Sequence, residues 1–300
     1  MAAASPKISV IIGTYNRRHC LARAVDSVLA QTFADRELIV VDDASSDGTA
    51  DWLRAAYPSI SVIERPSNGG VAAARNTGFN ETSSEFVAFL DSDDWWSPDF
   101  LARHVQAMAL HPDAVLSYCD CATMTPDGAE LVMPRTPPAA AATPAELMLL
   151  HQPIFSPSAV LFRADRVRAV GGFREKCRNC EDVDLYLRLV NSGAFIRVPE
   201  PLTMKTRSAD SKSNNHAKWS KHRAEILDDF FTRDENAPHR GMESRARSRI
   251  HGVIALAALR DGGDRGIALR LILAAFLADP AYAVRYFLYR VFRRTTRGLR

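Results

Sequence analysis

The chain has 300 residues, 47% of them hydrophobic and 24% charged, with 15 Gly and 16 Pro, a composition that excludes a disordered, collagen-like or fibrous protein. Its 38 basic and 35 acidic residues leave a net charge of only +3, yet the charge is segregated: residues 240–300 hold 13 Arg and 4 acids, against 25 basic and 31 acidic residues before them. An acidic body with a basic tail is a poor nucleic-acid binder, because the body repels phosphates.

In chain order, short apolar runs at 8–12, 37–41, 61–63 and 86–90 alternate with helical patterns at 22–30, 49–56, 71–80 and 98–110. That alternation predicts βαβ units and a mainly parallel sheet. Three of the runs end in polar clusters: Gly13-Thr-Tyr-Asn16, Asp42-Asp-Ala-Ser45 and Asp91-Ser-Asp-Asp94. In an open parallel sheet such clusters fall at the carboxyl ends of the strands, where ligands bind. A further strand is expected at 114–124, a loop or lid at 134–144, a strand at 157–163 and a helix at 181–190 that begins in acids. The polar stretch 207–215 leads into two or three C-terminal helices.

The carboxylates are the chemically distinctive feature. Asp91, Asp93 and Asp94 directly follow an apolar strand, so their mutual repulsion calls for a counter-cation. Mg²⁺ or Mn²⁺ suits such oxygen ligands; the plainer alternative is a solvated turn whose acids cap the next helix. Asp42 and Asp43 form a second pair. In Asn68-Gly-Gly-Val-Ala-Ala-Ala-Arg75 a glycine turn enters a helix carrying Arg75, which can meet an anion or simply follow a loop. Glu181, Asp182 and Asp184 open the helix at 181 and leave a carboxylate exposed, or only complement its dipole.

Together these motifs resemble the family 2 glycosyltransferases, inverting enzymes of the GT-A fold. The resemblance spans roughly residues 7–205. It is carried by Ile8-Ser-Val-Ile-Ile-Gly-Thr-Tyr-Asn-Arg17, Gln31-Thr-Phe33, the stretch from Glu37 to Thr49, Asn68-Gly-Gly with Ala74-Arg-Asn-Thr-Gly78, Phe89-Leu-Asp-Ser-Asp-Asp94, Gly171-Gly-Phe173 and Glu181-Asp182. It implies an α/β GT-A domain: a Rossmann-like, mostly parallel central sheet flanked by helices. The implied organisation is a nucleotide-sugar-binding half at 1–112, an acceptor-binding half at 113–206 and a helical C-terminal extension at 207–300 with a basic amphipathic tail.

The same resemblance implies roles by position. Thr14, Tyr15, Asn16, Arg17 and Asp43 would hold the nucleotide, with Tyr15 stacking on the base and Asp43 accepting from its N–H. Arg75 would lie near the diphosphate, and Asp91 and Ser92 beside the donor. Asp91, Asp93 and Asp94 match the metal motif for Mn²⁺ or Mg²⁺. Asp182, in preference to Glu181, would be the general base. The family has Pro where this chain has Gly13, which is expected to loosen that turn, and a late histidine, His216 here, is a candidate extra ligand or an ordinary surface residue.

Asp182 would then deprotonate the acceptor hydroxyl as it attacks the anomeric carbon, and the departing nucleoside diphosphate, UDP by preference, would be stabilised by the cation. The expected acceptor is a glycan or a lipid-linked glycan in cell-surface polysaccharide synthesis. A sugar-phosphate nucleotidyltransferase is the rival enzyme. It needs a Gly-rich basic phosphate loop after the first strand, where this chain offers Tyr15 and a single Gly. A decayed carbohydrate- or membrane-associated scaffold is the non-catalytic rival.

Residues 267–278 are apolar but too short to span a bilayer. Beyond Pro280, Val284, Phe287, Leu288, Val291 and Phe292 recur at helical spacing, with Arg285, Arg290, Arg293, Arg294 and Arg297 opposite. This helix either lies on a membrane surface or docks its apolar stripe on the protein's own core. Five cysteines, an odd number, do not make a disulfide framework; Cys119, Cys121, Cys177 and Cys180 are ordinary thiols or, less simply, a zinc site. With no export signal at the N-terminus, the expected location is the cytoplasm, with peripheral attachment to the inner membrane face as the alternative.

Overall fold

The computed structural model describes residues 6–124, 130–133, 142–177, 180–206, 216–260 and 264–297. Two compact units form, one from Met1–Pro144 with Gln152–Ser208 and the other from Ala145–His151 with Ala209–Arg300.

The first unit begins with the predicted alternation: β1 (Ile8–Thr14), α1 (Arg18–Leu29), β2 (Arg36–Asp42), α2 (Thr49–Ala56), β3 (Ser61–Glu64), α3 (Val71–Asn80) and β4 (Phe86–Asp91). It continues through β5 (Trp95–Trp96), α4 (Phe100–Leu110), β6 (Ala114–Met124), β7 (Glu130–Met133), β8 (Val160–Arg163), α6 (Ala164–Ala169), α7 (Glu181–Leu189) and β9 (Ala194–Thr206). Between β7 and β8 a short α5 (Pro144–Glu146) runs on as a π-helical turn (Leu147–His151). Of the expected loop at 134–144, residues 134–141 lie outside the described residues.

One sheet runs in the order β3-β2-β1-β4-β8-β6-β9-β5, with β7 paired to β6. β3, β2, β1 and β4 are mutually parallel, as are β6 and β9, whereas β8 is antiparallel to both β4 and β6. The fold is therefore an α/β sheet of the GT-A type, parallel in its first half and mixed beyond β4. The chain order reverses at β1, which has β2 on one side and β4 on the other. The carboxyl ends of β1 and β4 thus flank the crevice where open α/β sheets bind ligands.

Both faces of this sheet are covered, so its strands read as continuous apolar runs. Ile8, Val10 and Ile12 bury against Leu21, Ala24, Val25 and Val28 of α1, which recur at i, i+3, i+4 and i+7. On the opposite face Ile39, Val41 and Ala74 form a second cluster. There α3 sits unusually close to the sheet because its contact residues are small. A Cβ on Gly78 would come within 2.7 Å of Ile11 and 3.1 Å of Val41, and one on Gly13 within 3.1 Å of Ala74. Gly13 is also in register between Val41 and Asp91. It is a strand residue packed under α3 rather than part of the loosened turn that its replacement of Pro suggests.

β9 has no clear signal in the sequence because Pro199 and Pro201 interrupt it. The structure accommodates them where the β6–β9 register shifts on either side of Asp120, as Pro in a sheet requires a bulge or an edge.

The second unit is helical: α8 (His216–Thr232), a 3₁₀ segment (Asp234–Met242), α9 (Glu243–Arg260), α10 (Arg265–Ala278) and α11 (Pro280–Arg297), with the π-turn packed among them. Arg249 donates to the carbonyl of His151 at 2.8 Å, and the Tyr282 hydroxyl to that of Leu150 at 3.4 Å. Asp264 caps α10 by accepting from the amides of Gly266 and Ile267. In α11, Ala283 is buried, Phe287 stacks on Phe276 at 5.9 Å, and Tyr286 lies over Gly252, where a Cβ would be 3.0 Å from the ring. Of the predicted apolar stripe, Phe287 packs inward on α10 while Val284 and Leu288 stay exposed. The side chains of Arg290 and beyond, and that of the candidate ligand His216, lie outside the described residues. Among the described residues no helix is long and apolar enough to cross a membrane.

Candidate active site

The close packing of α3 delivers Arg75 to the crevice. Its guanidinium is buried and forks between two carboxylates, Nη2 donating to Asp91 Oδ1 at 2.6 Å and Nη1 to Glu181 Oε1 at 2.9 Å. Residues 16 and 106 positions apart in sequence, at the end of β4 and the start of α7, are thereby joined through one side chain. Phe173 packs beneath the guanidinium, 5.2 Å from its ring centre. Burial opposes a charge on Arg75, but Asp91 and Glu181 outweigh it and strengthen its hold on the proton.

The Gly171-Gly-Phe173 motif is held for this purpose. Gly171 and Gly172 have φ of +77° and +66°, a region that favours glycine. Asn76 of α3 clamps the backbone of Phe173, donating to its carbonyl at 2.8 Å and accepting from its amide at 2.9 Å. From the other side Arg188 donates to the carbonyls of Val170 and Gly172 while ion-pairing with buried Asp184 at 2.8 Å. Asp184 also takes Arg174 at 3.2 Å. Asp184 is thus a structural acid, whereas Asp182, on the same first turn, is half-buried.

Beyond Asp91 the acids separate in character. A turn closed by the Asp94 amide donating to the Asp91 carbonyl at 3.0 Å contains Ser92 and Asp93. The Asp93 side chain is 30% exposed and pairs with Arg17 at 3.2 Å. Asp94 is 1% exposed and accepts from Ser158 at 2.6 Å and from Lys205 at 2.7 Å. Burial pushes its carboxyl up to about 6, against the pull of Lys205, with Asp91 adding to the rise. Asp91 moves the other way: burial works against its ionisation, but Arg75 and Lys205 prevail and hold it below the ordinary range. Glu181, buried and only partly compensated by Arg75, is raised.

Lys205, Ser156 and Ser158 have no motif in the sequence that singles them out. Lys205 stands in proline-interrupted β9, and its two carboxylate partners raise its affinity for the proton despite burial. Ser156 donates to both Asp91 and Asp94, at 3.3 and 3.4 Å.

At the ends of β1 and β2 the loops are cross-tied. Asn16, in the left-handed region at φ 52°, donates its amide to Ser45 at 2.8 Å and accepts from the Ser46 amide at 2.8 Å. Tyr15 is exposed beside it. Thr14 is buried, and its hydroxyl has no hydrogen-bond partner among the described residues. Asp43, 2% exposed, accepts from the amides of Gly69 at 3.0 Å and Gly70 at 2.7 Å, and from Arg65. It organises the glycine turn before α3, and roughly one of its four lone-pair positions remains open. Asp42 bonds Ser45 and faces its own loop.

The donor set suits a hard divalent cation: it is all carboxylate oxygen, and Asp91, Asp93, Asp94, Glu181 and Asp182 outnumber the cations Arg17, Arg75 and Lys205 that face them. Among the described residues no group of three or more His, Cys, Asp or Glu side chains is arranged to hold an ion. A cation here would be held by one or two carboxylates and completed by substrate oxygens. Asp94 is buried and committed to Lys205 and Ser158. None of the five cysteines forms a disulfide, and Cys119 bonds Thr203.

This sheet and its β1/β4 crevice define an α/β protein of the GT-A fold class. The sequence model for Glycosyl transferase family 2 matches residues 9–142. The "Putative glycosyltransferase EpsE" of Bacillus subtilis (strain 168) is 30% identical over 196 residues, 63% of this chain and 68% of that protein. The chain belongs to glycosyl transferase family 2. It spans only 19–32% of the length of three other curated relatives that it matches.

Solved structures share the fold. S. aureus TarS 1-349 superposes with a TM-score of 0.69 at 17% identity, over 92% of this chain and 82% of that one. Its complex with UDP-GlcNAc gives 0.66 at 19% identity, over 82% and 72%. The mannosyltransferase PcManGT from Pyrobaculum calidifontis, in complex with GDP-Man and Mn²⁺, gives 0.62 at 19% identity, over 97% and 88%.

Proposed function

We propose that the protein is an inverting glycosyltransferase that moves a sugar from a nucleoside-diphosphate donor, UDP-linked by preference, to a hydroxyl of a glycan or lipid-linked acceptor in cell-surface polysaccharide synthesis. The observation that carries this reading is the Arg75 fork, which brings the Asp91 rim and the carboxylates of α7 to one crevice.

The donor would lie across the ends of β1, β2 and β4. Tyr15 offers an exposed ring for the base, Asp43 its remaining acceptor position for the base N–H, and Thr14 a hydroxyl that none of the described residues satisfies. Arg75, with both arms committed, acts as a positioning residue rather than a direct diphosphate ligand. Asp93, the more exposed acid, would hold Mn²⁺ or Mg²⁺ with Asp91 beside it; when bound, the ion supplies positive charge against the leaving diphosphate.

Asp182 is the base. Glu181 is tied to Arg75, whereas Asp182 sits at the positive end of α7, half-buried and oriented by the same helix. It accepts the acceptor's proton as the oxygen attacks the anomeric carbon from the face opposite the departing diphosphate, so one displacement inverts that centre. The enzyme works in the cytoplasm at the inner membrane face, where lipid-linked acceptors are reached through the basic segment 280–300.

Calorimetric titration with UDP, GDP and dTDP, each with Mn²⁺ and with EDTA, tests the reading. One nucleotide should bind with metal, and binding should be lost in Asp93→Ala. If none binds with metal present, the chain is a scaffold on a transferase fold.

A further inference from the structure

The helical unit carries a helix whose two faces are inverted in size. α10 turns Ala268, Leu271 and Ala275 inward, and leaves Leu269, Leu273 and Leu277 exposed at 67%, 59% and 77%. Single exposed leucines are ordinary, but these recur every fourth residue and form one stripe along the helix. Phe276, three residues from Leu273, stacks on Phe287, three residues from Val284. That contact brings the exposed Val284 and Leu288 of α11 to the same edge.

Arginine dominates the exposed charge beside the stripe: Arg265, Arg270 and Arg285 are exposed, against Asp264 at the start of α10 and Asp279 at its end. Arg265 lies one turn before Leu269 and Arg270 one turn before Leu273, both exposed. A second copy packed symmetrically on this face would set arginine against arginine. A surface with apolar depth and an anionic rim matches both features. At fourteen residues α10 is about 21 Å long, short of the roughly 30 Å hydrocarbon core, so it fits along a bilayer rather than across it.

We propose that α10, with the adjoining edge of α11, is a docking face for an anionic lipid bilayer: Leu269, Leu273 and Leu277 enter the acyl boundary while Arg265, Arg270 and Arg285 meet lipid phosphates. This refines the membrane part of the function proposed above and is independent of the transfer chemistry. It moves the contact from the terminal segment to a helix that precedes it.

The test is flotation of the full chain with vesicles of phosphatidylcholine alone and of phosphatidylcholine mixed with phosphatidylglycerol. The wild type should float only with the anionic vesicles, and less as salt rises. L273S/L277S should lose roughly tenfold or more in vesicle affinity, because exposed leucines supply the insertion. L273F/L277F, which keeps the apolar stripe, should retain binding, and R265Q/R270Q should weaken it. All variants should keep the wild-type circular dichroism and UDP affinity, so a failure of nucleotide binding alone indicts the transferase reading and leaves this one standing. Unchanged flotation of L273S/L277S overturns the proposal. So does a wild type that ignores anionic vesicles, or one that is dimeric by light scattering and becomes monomeric in L273S/L277S.

Discussion

Arg75 donates to Glu181 at 2.9 Å from a helix 106 residues earlier in the chain, and the same guanidinium holds Asp91 at 2.6 Å. Removing it would leave buried Glu181 without its cation and half-buried Asp91 with only Lys205, 3.9 Å away. Arg75→Met should therefore cost about 3–5 kcal/mol, the range for breaking a buried ion pair from one side. Arg75→Lys, able to reach one acid but not fork to both, should lie between. Urea unfolding of the three proteins checks this; equal stabilities would mean that the fork is not formed.

Asp182 and Glu181 are neighbours with different surroundings, and their variants should separate. Asp182→Asn keeps the size and the helix start but removes the base, so turnover should fall about 10²–10⁴-fold, the usual worth of a positioned general base. UDP affinity should stay near wild type. Glu181→Gln should instead lower thermal stability along with turnover, since it unbalances Arg75. Steady-state transfer assays with calorimetry on both variants decide it, and full turnover by Asp182→Asn would remove Asp182 from the mechanism.

The strands β1 to β4 and the helices between them were legible because each is a long run with a single period, and the motifs fall where those runs stop. The α/β class followed from that, and the GT-A class was implied by the resemblance that those motifs carry. The partners of the rim did not. Lys205 and Ser158 reach Asp94 from 111 and 64 residues away, and neither stands in a pattern. β9 was hidden by Pro199 and Pro201, which a register shift tolerates. The commitment of Arg75 to two carboxylates was equally hidden: its sequence neighbours suggest an anion of the substrate, and only the depth of α3, set by Gly78 and Ala74, directs it inward.

Asp94 gives the site a pH signature. Its folded-state pKa of about 6 lies above the ordinary 3.8, so between those values the folded protein binds more protons than the unfolded one. The associated stability is therefore present below pH 4 and lost as pH rises through 6. Asp94→Asn cannot titrate. The stability difference between wild type and Asp94→Asn should thus favour the wild type by roughly 2 kcal/mol more at pH 4 than at pH 7, at about 1.4 kcal/mol per pKa unit. Urea midpoints at the two pH values measure it, and a difference of opposite sign would mean that Lys205 keeps Asp94 ionised throughout.

Gly172 tests whether the Gly171-Gly-Phe173 turn serves the site or only the fold. Its φ is +66°, and a Cβ there would stand 2.8 Å from Asn76 Oδ1, the atom that accepts from the Phe173 amide. Gly172→Ala should cost about 1–3 kcal/mol through backbone strain. It should also loosen the clamp that seats Phe173 under Arg75, so turnover should fall further than the stability loss explains at a temperature where the protein is fully folded. Gly241→Ala, with nothing within 4 Å of the added methyl, is the control and should change neither. Should Gly172→Ala lose stability yet turn over normally, the clamp would be a folding device, and the Arg75 fork would not depend on Phe173.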